Sequence, residues 1–369
     1  MATTTVISPV ESCKVMQAYL ATANQPGTGA LNLGFHEALL NPENRAGLVG
    51  VNISGDGKPI SGSSCRLILK YIKPDCSNTT NDTTLCDISP AAGSNPFGSA
   101  EFQFQTADII SAPYKLTKEQ FDCSCDPMDR QMGELLNQKM RNIFRNAEKR
   151  LLENAWNCLG AYCDGTESTV TPATLNIFNE DGNAAQPLGW WFVQEQLDAM
   201  KATGKPIVVG GTAIRKYLWA QKVAGIGANG VGATGTVDSD FQFYYSSEFD
   251  SWARNKTGVN GDYAIVFAPG TFQLIDWQYN VGANVENIDI KSSVTMQFMN
   301  NGFDYLVDYS NYYDAKCREW EILPTRTSGV FCMPEDDLCD DIVGNWRFLV
   351  KLGCGAVDCG PLCGSESAS

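Results

Sequence analysis

The chain has 369 residues, which is enough for two or three domains, and hydrophobic residues make up 43% of it. With charged residues at 19%, this composition excludes a largely disordered chain. The formal net charge of −15 excludes broad affinity for nucleic acid, because acidic groups repel phosphates unless basic groups are strongly segregated.

The sequence predicts neither a signal peptide nor a membrane span. The first residues lack a basic leader followed by an apolar run, and no stretch of about 18 consecutive apolar residues occurs. Fourteen cysteines nevertheless indicate an oxidising environment. A protein that folds in a cytoplasm and later leaves it within a released particle satisfies both observations.

The first third of the chain is predicted to be extended. Residues 1–45 are rich in Ala, Thr, Asn and Gly and indicate an arm with two short helices, at 11–23 and 34–40. After the arm, CRLILKYIK and AEFQFQTADII alternate between apolar and polar residues and predict two strands, with a long polar excursion between them. We therefore predict a long β-hairpin loop over residues 46–116, followed by a short helix that begins with the capping box of residues 117–120.

A long helix over residues 126–160 is the element around which the chain is organised. An Asp-Pro pair suits its first turn, and a glycine suits its end. Apolar residues recur between them every three or four positions, which predicts one buried face along roughly 50 Å. On the opposite side, Arg141, Arg145 and Lys149 form a basic stripe. This stripe is either a solvated face or a contact with packaged nucleic acid or a neighbour's carboxylates.

Beyond this helix the chain alternates between helices and strands and then becomes mainly β. Helices are predicted in WWFVQEQLDAMKATG and TAIRKYLWAQKVAG, with the buried strand KPIVVGG between them and the glycine-rich loop GIGANGVGATG after them. Strands are predicted in FQFYYSS and DYAIVFAPG, and a short helix in TFQLIDW. The stretches VTMQFM, FDYLVDYSNYYD and CREWEILPT predict antiparallel strands, and WRFLVKLG closes the folded part.

Motifs of known enzymes are incomplete in this sequence. His36 is the only histidine and lacks the second histidine of a zinc-binding HExxH motif, so an isolated surface or core residue is expected. Residues 225–230 match G-x-G-x-x-G, yet they follow a helix instead of a strand, which favours a flexible loop. The acidic residues at 335–341 lack the spacing of a calcium loop. We predict a protein that is not an enzyme and has no cofactor or metal site.

Seven cysteines are candidates for disulfides that form after oxidation, although their pairing does not follow from the sequence. Two flank the polar tip of the hairpin, two bracket the end of the long helix, and three lie in the tail at no familiar metal spacing. A reduced, buried thiol is an equally good interpretation. The candidates are Cys76, Cys86, Cys158, Cys163, Cys354, Cys359 and Cys363.

The arm and the loop are too long for one compact domain, in which connections usually stay under about 15 residues. The long helix also needs contacts along its length, because most helix stability in proteins comes from packing. We therefore expect the apolar faces of these elements to find partners outside the subunit.

This order of elements resembles the major capsid proteins of tailed bacteriophages, which have the Hong Kong 97-like fold. KPIVVGGTAIRKYL resembles the strand and helix of the family's axial domain, and GDYAIVFAPGTFQLIDW a later strand and short helix. FDYLVDYSNYYDAKCREWEI is similar to the strands that return to the peripheral domain. The resemblance covers most of residues 1–350 and rests on the order of elements.

The resemblance implies an α+β fold in which an arm, an extended loop and a spine helix are attached to a peripheral and an axial domain. The implied segments are the arm (1–45), the loop (46–116), the spine helix with the first part of the peripheral domain (117–186), the axial domain (187–300), the returning strands of the peripheral domain (301–350) and a Cys- and Gly-rich tail (351–369).

The family's function is implied as well. The protein would assemble through hexamers and pentamers into the icosahedral shell of a virion, built in the host cytoplasm around a double-stranded DNA genome. Its partners would be further copies of itself, together with portal, scaffold and decoration proteins, and DNA only through weak nonspecific contacts. The charged scaffolding segment of many relatives is not visible, and the cysteine-rich tail departs from the family pattern.

Other functions remain open alternatives. They are a tail or baseplate component of a virion, the shell protein of a cellular nanocompartment with the same fold, and a hydrolase that works through paired carboxylates. The hydrolase requires two acidic residues that converge in a pocket, and the sequence shows no such pair.

Overall fold

The protein has a mixed α+β fold in which one long helix joins two β-sheets. A computed structural model describes residues 31–41, 44, 48–50, 60–61, 66–72, 97–117, 128–159, 174–182, 184–186, 188–199, 204–224, 241–278, 292–300, 303–314, 319–333 and 347–355.

Five helices are described. They are α1 (Gly34–Leu40), α2 (Met128–Trp156), α3 (Leu188–Ala199), α4 (Thr212–Ala224) and α5 (Phe249–Thr257), and a 3-10 turn lies at Thr106–Asp108.

The strands fall into three sheets, and their bounds are as follows. They are β1 (Leu48–Gly50), β2 (Ile60–Ser61), β3 (Arg66–Ile72), β4 (Phe97–Gln103), β5 (Ile109–Ser111), β6 (Tyr114–Thr117), β7 (Thr174–Phe178), β8 (Ile207–Gly210), β9 (Gln242–Tyr245), β10 (Asp262–Phe267), β11 (Phe272–Gln278), β12 (Ser292–Asn300), β13 (Phe303–Asp314), β14 (Glu319–Cys332) and β15 (Arg347–Cys354).

A five-stranded sheet has the order β7-β15-β10-β8-β9 and is covered by helices on both faces. Successive residues of a strand point to opposite faces, so β10 contributes to two layers. Ala264 and Val266 pack with α3 and α4, whereas Ile265 and Phe267 pack with α1, α5 and the end of α2. Burial on both faces explains why β8 is a continuous apolar run in the sequence, as predicted.

A seven-stranded sheet is organised around β14, which has 14 residues. The order along the sheet is β12-β13-β14-β11-β2, and β5 and β6 pair with β14 as well. β13 pairs antiparallel with the first half of β14, and β11 pairs antiparallel with the second half. The antiparallel strands predicted in VTMQFM, FDYLVDYSNYYD and CREWEILPT are therefore confirmed, and they lie in one sheet.

The 29 residues of α2 span about 43 Å and pack on both sheets. Leu136 and Met140, near its start, pack with residues of β6, β13 and β14. Leu151 and Leu152, near its end, pack on the five-stranded sheet. The buried face predicted from the apolar spacing is confirmed at these positions, and α2 holds the two sheets together.

The hairpin strands β3 and β4 dock on the seven-stranded sheet of the same chain. The Tyr71 ring lies 5.6 Å from the Phe331 ring of β14. The Phe102 ring lies against Gly329, where an added Cβ would come within 2.6 Å of that ring. We expected the apolar faces of the arm and the loop to find partners outside the subunit. For the described residues that prediction is wrong, because Tyr71 and the arm residue Phe35 are buried in the chain's own core.

The short helix predicted for TFQLIDW is also wrong, because these residues form β11. Pro269 suggested a helix start, but it stands in a tight turn in which the Thr271 amide donates to the Ala268 carbonyl. Gly270 follows with φ +87°, which is typical of a type II turn after proline. The hydrogen bonds of β11 go to the distant strand β14, and no local pattern reveals that partner.

Most of the other predictions agree with the described residues. The strand predicted in AEFQFQTADII, however, is divided into β4 and β5 by the 3-10 turn at Thr106–Asp108, and strands β1, β2 and β6 were not predicted. Helices α1, α3 and α4 and strands β9 and β10 lie where they were predicted. Helix α5 was not predicted, because its nine residues bury only Phe249, Trp252 and Ala253. The predicted helix at 11–23 lies outside the described residues. Of the predicted capping box at 117–120, Thr117 is the last residue of β6 and the other residues lie outside the described ones.

The docking of the hairpin predicts a strong effect at Gly98, which lies beneath the buried Tyr71 ring. A Cβ there would lie 2.2 Å from that ring, so Gly98→Ala must displace the ring from its contact with Phe331. We expect a loss of about 1 to 3 kcal/mol in the free energy of unfolding, measured by urea denaturation. Ser99→Ala, at the exposed neighbouring position, is the control and should change little. Equal stability of both variants would contradict the docking.

Candidate functional site

A buried carboxylate on α2 holds the N-terminal segment in place. The Phe35 amide donates to Oε1 of Glu148, and the His36 amide donates to Oε2, each over 2.9 Å. These amides belong to the first turn of α1 and have no partner within that helix. Glu148 therefore caps α1 from a distance of more than 100 residues in the sequence, and its negative charge suits the helix N-terminus.

The environment of Glu148 changes its protonation. Burial raises the pKa of the Glu148 carboxyl from 4.5 to about 7. The nearby Ser246 hydroxyl and the two amides oppose this rise, while the charge of Glu37 adds to it. A large share of the molecules therefore carries a neutral Glu148 near pH 7, and the cap is sensitive to pH.

The side chain of His36 takes part in a second buried contact. Arg326 of β14 is buried, and its Nη2 lies 2.7 Å from His36 Nε2 and 2.8 Å from Asp276 Oδ1. A guanidinium group only donates, so Nε2 accepts and the imidazole carries its proton on Nδ1. The guanidinium also lies 5.5 Å from the centre of the Phe144 ring of α2. The histidine is thus a core residue that links α1 to the seven-stranded sheet.

A third anchor fixes the end of the hairpin loop to α2. The buried Asp108, in the 3-10 turn after β4, accepts from Nε of Arg150 over 2.7 Å and from Nδ2 of Asn154 over 3.2 Å. Its other oxygen accepts from the Gln105 amide over 2.7 Å. Because Arg150 lies two residues after Glu148, the anchors of the arm and of the loop are adjacent on the same helix.

The basic stripe predicted on α2 is partly neutralised within the chain. Lys149 Nζ lies 3.1 Å from one carboxylate oxygen of Glu248, and Arg145 Nε lies 3.9 Å from the other. Both basic side chains are about half exposed. Arg141 is partly buried. The structure therefore brings two of the three residues together around an acidic residue of the same subunit.

One disulfide bridge is described, and it involves one of the candidate cysteines. Cys158, at the end of the long helix, is bonded to Cys332 at the end of β14, which was not among the candidates. That pairing was missed because the two cysteines are 174 residues apart. Arg347 reinforces the same corner, since its side chain donates to the backbone carbonyls of Cys158 and Met333.

Among the described residues, the remaining cysteine candidates give no further pair. Cys354 is an exposed thiol that bonds to no described cysteine. The other candidates, Cys76, Cys86, Cys163, Cys359 and Cys363, lie outside the described residues, as do the glycine-rich match at 225–230 and the acidic run at 335–341.

Two carboxylates do approach each other on the five-stranded sheet. Burial raises the pKa of Asp262 at the start of β10, and the charge of Asp250 raises it further, while Lys216 lowers it. Asp250, however, accepts from the Thr212 amide over 2.9 Å and from the Thr212 hydroxyl over 2.6 Å. It caps the first turn of α4, which is a structural use of the carboxylate.

No group of three or more His, Cys, Asp or Glu side chains that could hold a metal ion occurs among the residues with described coordinates. Within the same residues, no helix is both long and apolar enough to cross a membrane.

Sequence reasoning missed the anchoring residues, although one of them left a signal. Glu148 stands on the apolar face of α2, four residues from both Phe144 and Leu152. A charged residue on such a face is rarely buried without a partner. Its position indicated a buried polar contact but not the partner.

Comparison with known proteins gave structural matches only, since no protein-family model and no curated protein matches the chain. The capsid of Ralstonia phage GP4 is similar at 9% identity, over 91% of this chain and 95% of that chain, with a TM-score of 0.49. The capsid asymmetric unit of cyanophage A-1(L) is similar at 9% identity, over 89% and 94%, with a TM-score of 0.48. The mature capsid of bacteriophage PhiM1 is similar at 14% identity, over 80% and 85%, with a TM-score of 0.41. All three are phage capsids.

The buried carboxylate predicts a pH dependence of stability. The folded-state pKa of Glu148 lies above the unfolded value, so its contribution is fully present below pH 4.5 and is lost as the pH rises through about 7. A difference of this size corresponds to about 3 kcal/mol. A glutamine side chain cannot ionise, so the Glu148→Gln variant should not show this loss of unfolding free energy. The unaltered protein should therefore become less stable relative to the variant as the pH rises from 4.5 through about 7. Glu180→Gln, at an exposed turn, is the control, and a pH-independent difference for Glu148→Gln would contradict the assignment.

The bridge between α2 and β14 predicts a redox-dependent stability. Under oxidising conditions, the Cys158→Ser/Cys332→Ser double variant should unfold with about 2 to 5 kcal/mol less free energy, because the bridge closes a long loop. Under reducing conditions the variant and the unaltered protein should have the same urea midpoint. Cys354→Ser is the matched control and should behave like the unaltered protein in both buffers. If each of the three proteins has the same urea midpoint in oxidising and in reducing buffer, this bridge is absent.

Proposed function

We propose that the protein is the major capsid protein of a tailed phage, with the Hong Kong 97-like fold. The observation that carries the proposal is that one long helix holds both extended segments of the chain. Glu148 binds the first turn of α1, and Arg150 binds Asp108 at the base of the hairpin loop. A long helix that holds two extended segments at fixed points suits a subunit that has to present the same surfaces in every copy of an assembly.

The chemistry of the buried charged groups supports a structural role. Glu148, Arg326, Asp108 and Arg347 all bind other parts of the same chain. The contacts of Glu148, Arg326 and Asp108 join residues more than 40 positions apart in the sequence, and His36 is part of such a contact. Buried charges that are paired in this way favour one arrangement of the chain.

In this proposal the five-stranded sheet with α3 and α4 is the axial domain, and the seven-stranded sheet with α2 is the peripheral domain. The boundaries drawn from the sequence then move. Residues 292–300 pair within the seven-stranded sheet, although we assigned them to the axial domain. Residues 174–178 and 347–354 pair within the five-stranded sheet, so both ends of the axial domain lie further out in the sequence.

The further parts of the proposal concern assembly. Copies of the protein form hexamers and pentamers, and these form an icosahedral shell in the host cytoplasm around double-stranded DNA. Portal, scaffold and decoration proteins complete the virion. The net charge of −15 and the pairing of Arg145 and Lys149 with Glu248 favour weak, nonspecific contact with the genome.

Electron microscopy of the full chain after expression in bacteria tests this function. We expect closed shells or their hexameric and pentameric precursors, visible in negative stain and countable by native mass spectrometry. Tubes or flat rings would favour a tail or baseplate component, and a chain that stays monomeric at about 100 µM, well above the dissociation constants of stable assemblies, would contradict a shell protein. Co-purification of an enzyme inside the shells would favour a nanocompartment.

A variant of the loop anchor refines the test. Arg150→Gln should leave the subunit folded but reduce the yield of closed shells, because it loosens the hairpin from α2. Arg254→Gln, at an exposed position of α5, should assemble like the unaltered chain. Equal shell yields from both variants would show that the anchor of the loop plays no part in assembly.

A further inference from the structure

Helices α3 and α4 each present a tryptophan to solvent. Trp191 on α3 is 64% exposed, and Trp219 on α4 is 67% exposed. Both helices cover the same face of the five-stranded sheet, where Trp190 and Tyr217 hold them together with their rings 5.9 Å apart. A tryptophan buries up to about 250 Å² when it is covered, and it is enriched at the centres of protein interfaces. An exposed tryptophan on each of these helices indicates that another molecule covers them.

The exposed face of α3 is divided along its length. Leu188, Trp191, Glu195 and Asp198 follow each other at intervals of three, four and three residues and are all exposed, so they form one stripe. The stripe is apolar at the N-terminal end of the helix and acidic at the C-terminal end.

The exposed face of α4 is divided in the complementary way. Arg215 and Lys216 are exposed near its N-terminal end, and Trp219 is exposed one turn later. The Arg215 guanidinium lies 5.1 Å from the centre of the Tyr245 ring, and the Lys216 ammonium lies 4.8 Å from the centre of the Phe178 ring. These contacts hold both basic side chains on the body of the subunit, which lowers the entropy lost when they bind a partner.

We propose that α3 of one subunit packs antiparallel on α4 of a second copy of this chain. Glu195 lies four residues from Trp191, and Arg215 lies four residues from Trp219, so each charge is about 6 Å along the axis from its tryptophan. In the antiparallel orientation Trp191 meets Trp219 while Glu195 meets Arg215. The acidic C-terminal half of α3 then faces the basic N-terminal half of α4, and the parallel orientation would separate these charges.

This contact is heterologous, because it joins two different surfaces of the subunit. A heterologous contact leaves one free surface of each kind at the ends of any chain of copies, and it closes only when the copies form a ring. The inference rests on the proposed shell function in one respect, since it assigns this pair of helices to the contact that builds the ring of a hexamer or pentamer.

Charge reversal in the full chain tests the contact. Glu195→Arg and Arg215→Glu should each weaken subunit association about fivefold, because an exposed ion pair becomes a like-charge pair. The double variant carries the pair in reversed order and should associate within about twofold of the unaltered chain. Trp219→Ala should weaken association about thirtyfold, as expected for the centre of an interface. Association is measured by sedimentation velocity over a range of concentrations, and circular dichroism confirms that each variant is folded.

A control and the possible results separate this inference from the shell function. Arg254→Glu reverses an exposed charge on α5, on the other side of the sheet, and should associate normally. If the unaltered chain forms shells and the single reversals at 195 and 215 form them equally well, the helix contact is wrong and the shell function stands. A double variant that is no better than the worse single variant also overturns the contact. If the unaltered chain forms no multimer, both proposals fail.

Discussion

A single buried acid sets the arrangement of the whole subunit. Glu148 lies in the middle of the apolar face of α2, where an unpaired carboxylate would be costly. The amides that satisfy it belong to α1, so the N-terminal segment must lie between α2 and the five-stranded sheet. With α1 in this place, His36 reaches Arg326, and Asn44 binds the Phe272 carbonyl at the start of β11. One set of contacts thus links α1, α2 and both sheets.

The long helix serves as the common support of the subunit. Its first half packs on the seven-stranded sheet, and its second half packs on the five-stranded sheet, so neither sheet can move without disturbing it. The most distant contacts join residues more than 200 positions apart, as between Asn44 and Gln273. Such contacts form only after the intervening chain has folded, and the subunit is expected to fold slowly for its length.

Local patterns predicted much of the fold, whereas the anchors depended on distant pairings. The burial of Met140 and Phe144 on α2 follows from their spacing, and the continuous apolar run of β8 predicted a strand covered on both faces. The turn at Pro269 misled the prediction because proline starts helices and turns alike. The partner of Glu148 and the partner of Cys158 lie more than 100 residues away, and no periodicity reports on such a distance. The described elements confirm the α+β composition.

The disulfide between Cys158 and Cys332 makes the stability of the subunit depend on the redox state of its surroundings. In reducing surroundings, such as the cytoplasm of most cells, the two thiols are unbonded, and only noncovalent contacts join the end of α2 to the end of β14. In oxidising surroundings the disulfide bond joins these two ends covalently. The buried Arg347 side chain binds the backbone at the same place. The oxidised subunit is therefore more resistant to unfolding at this corner than the reduced subunit.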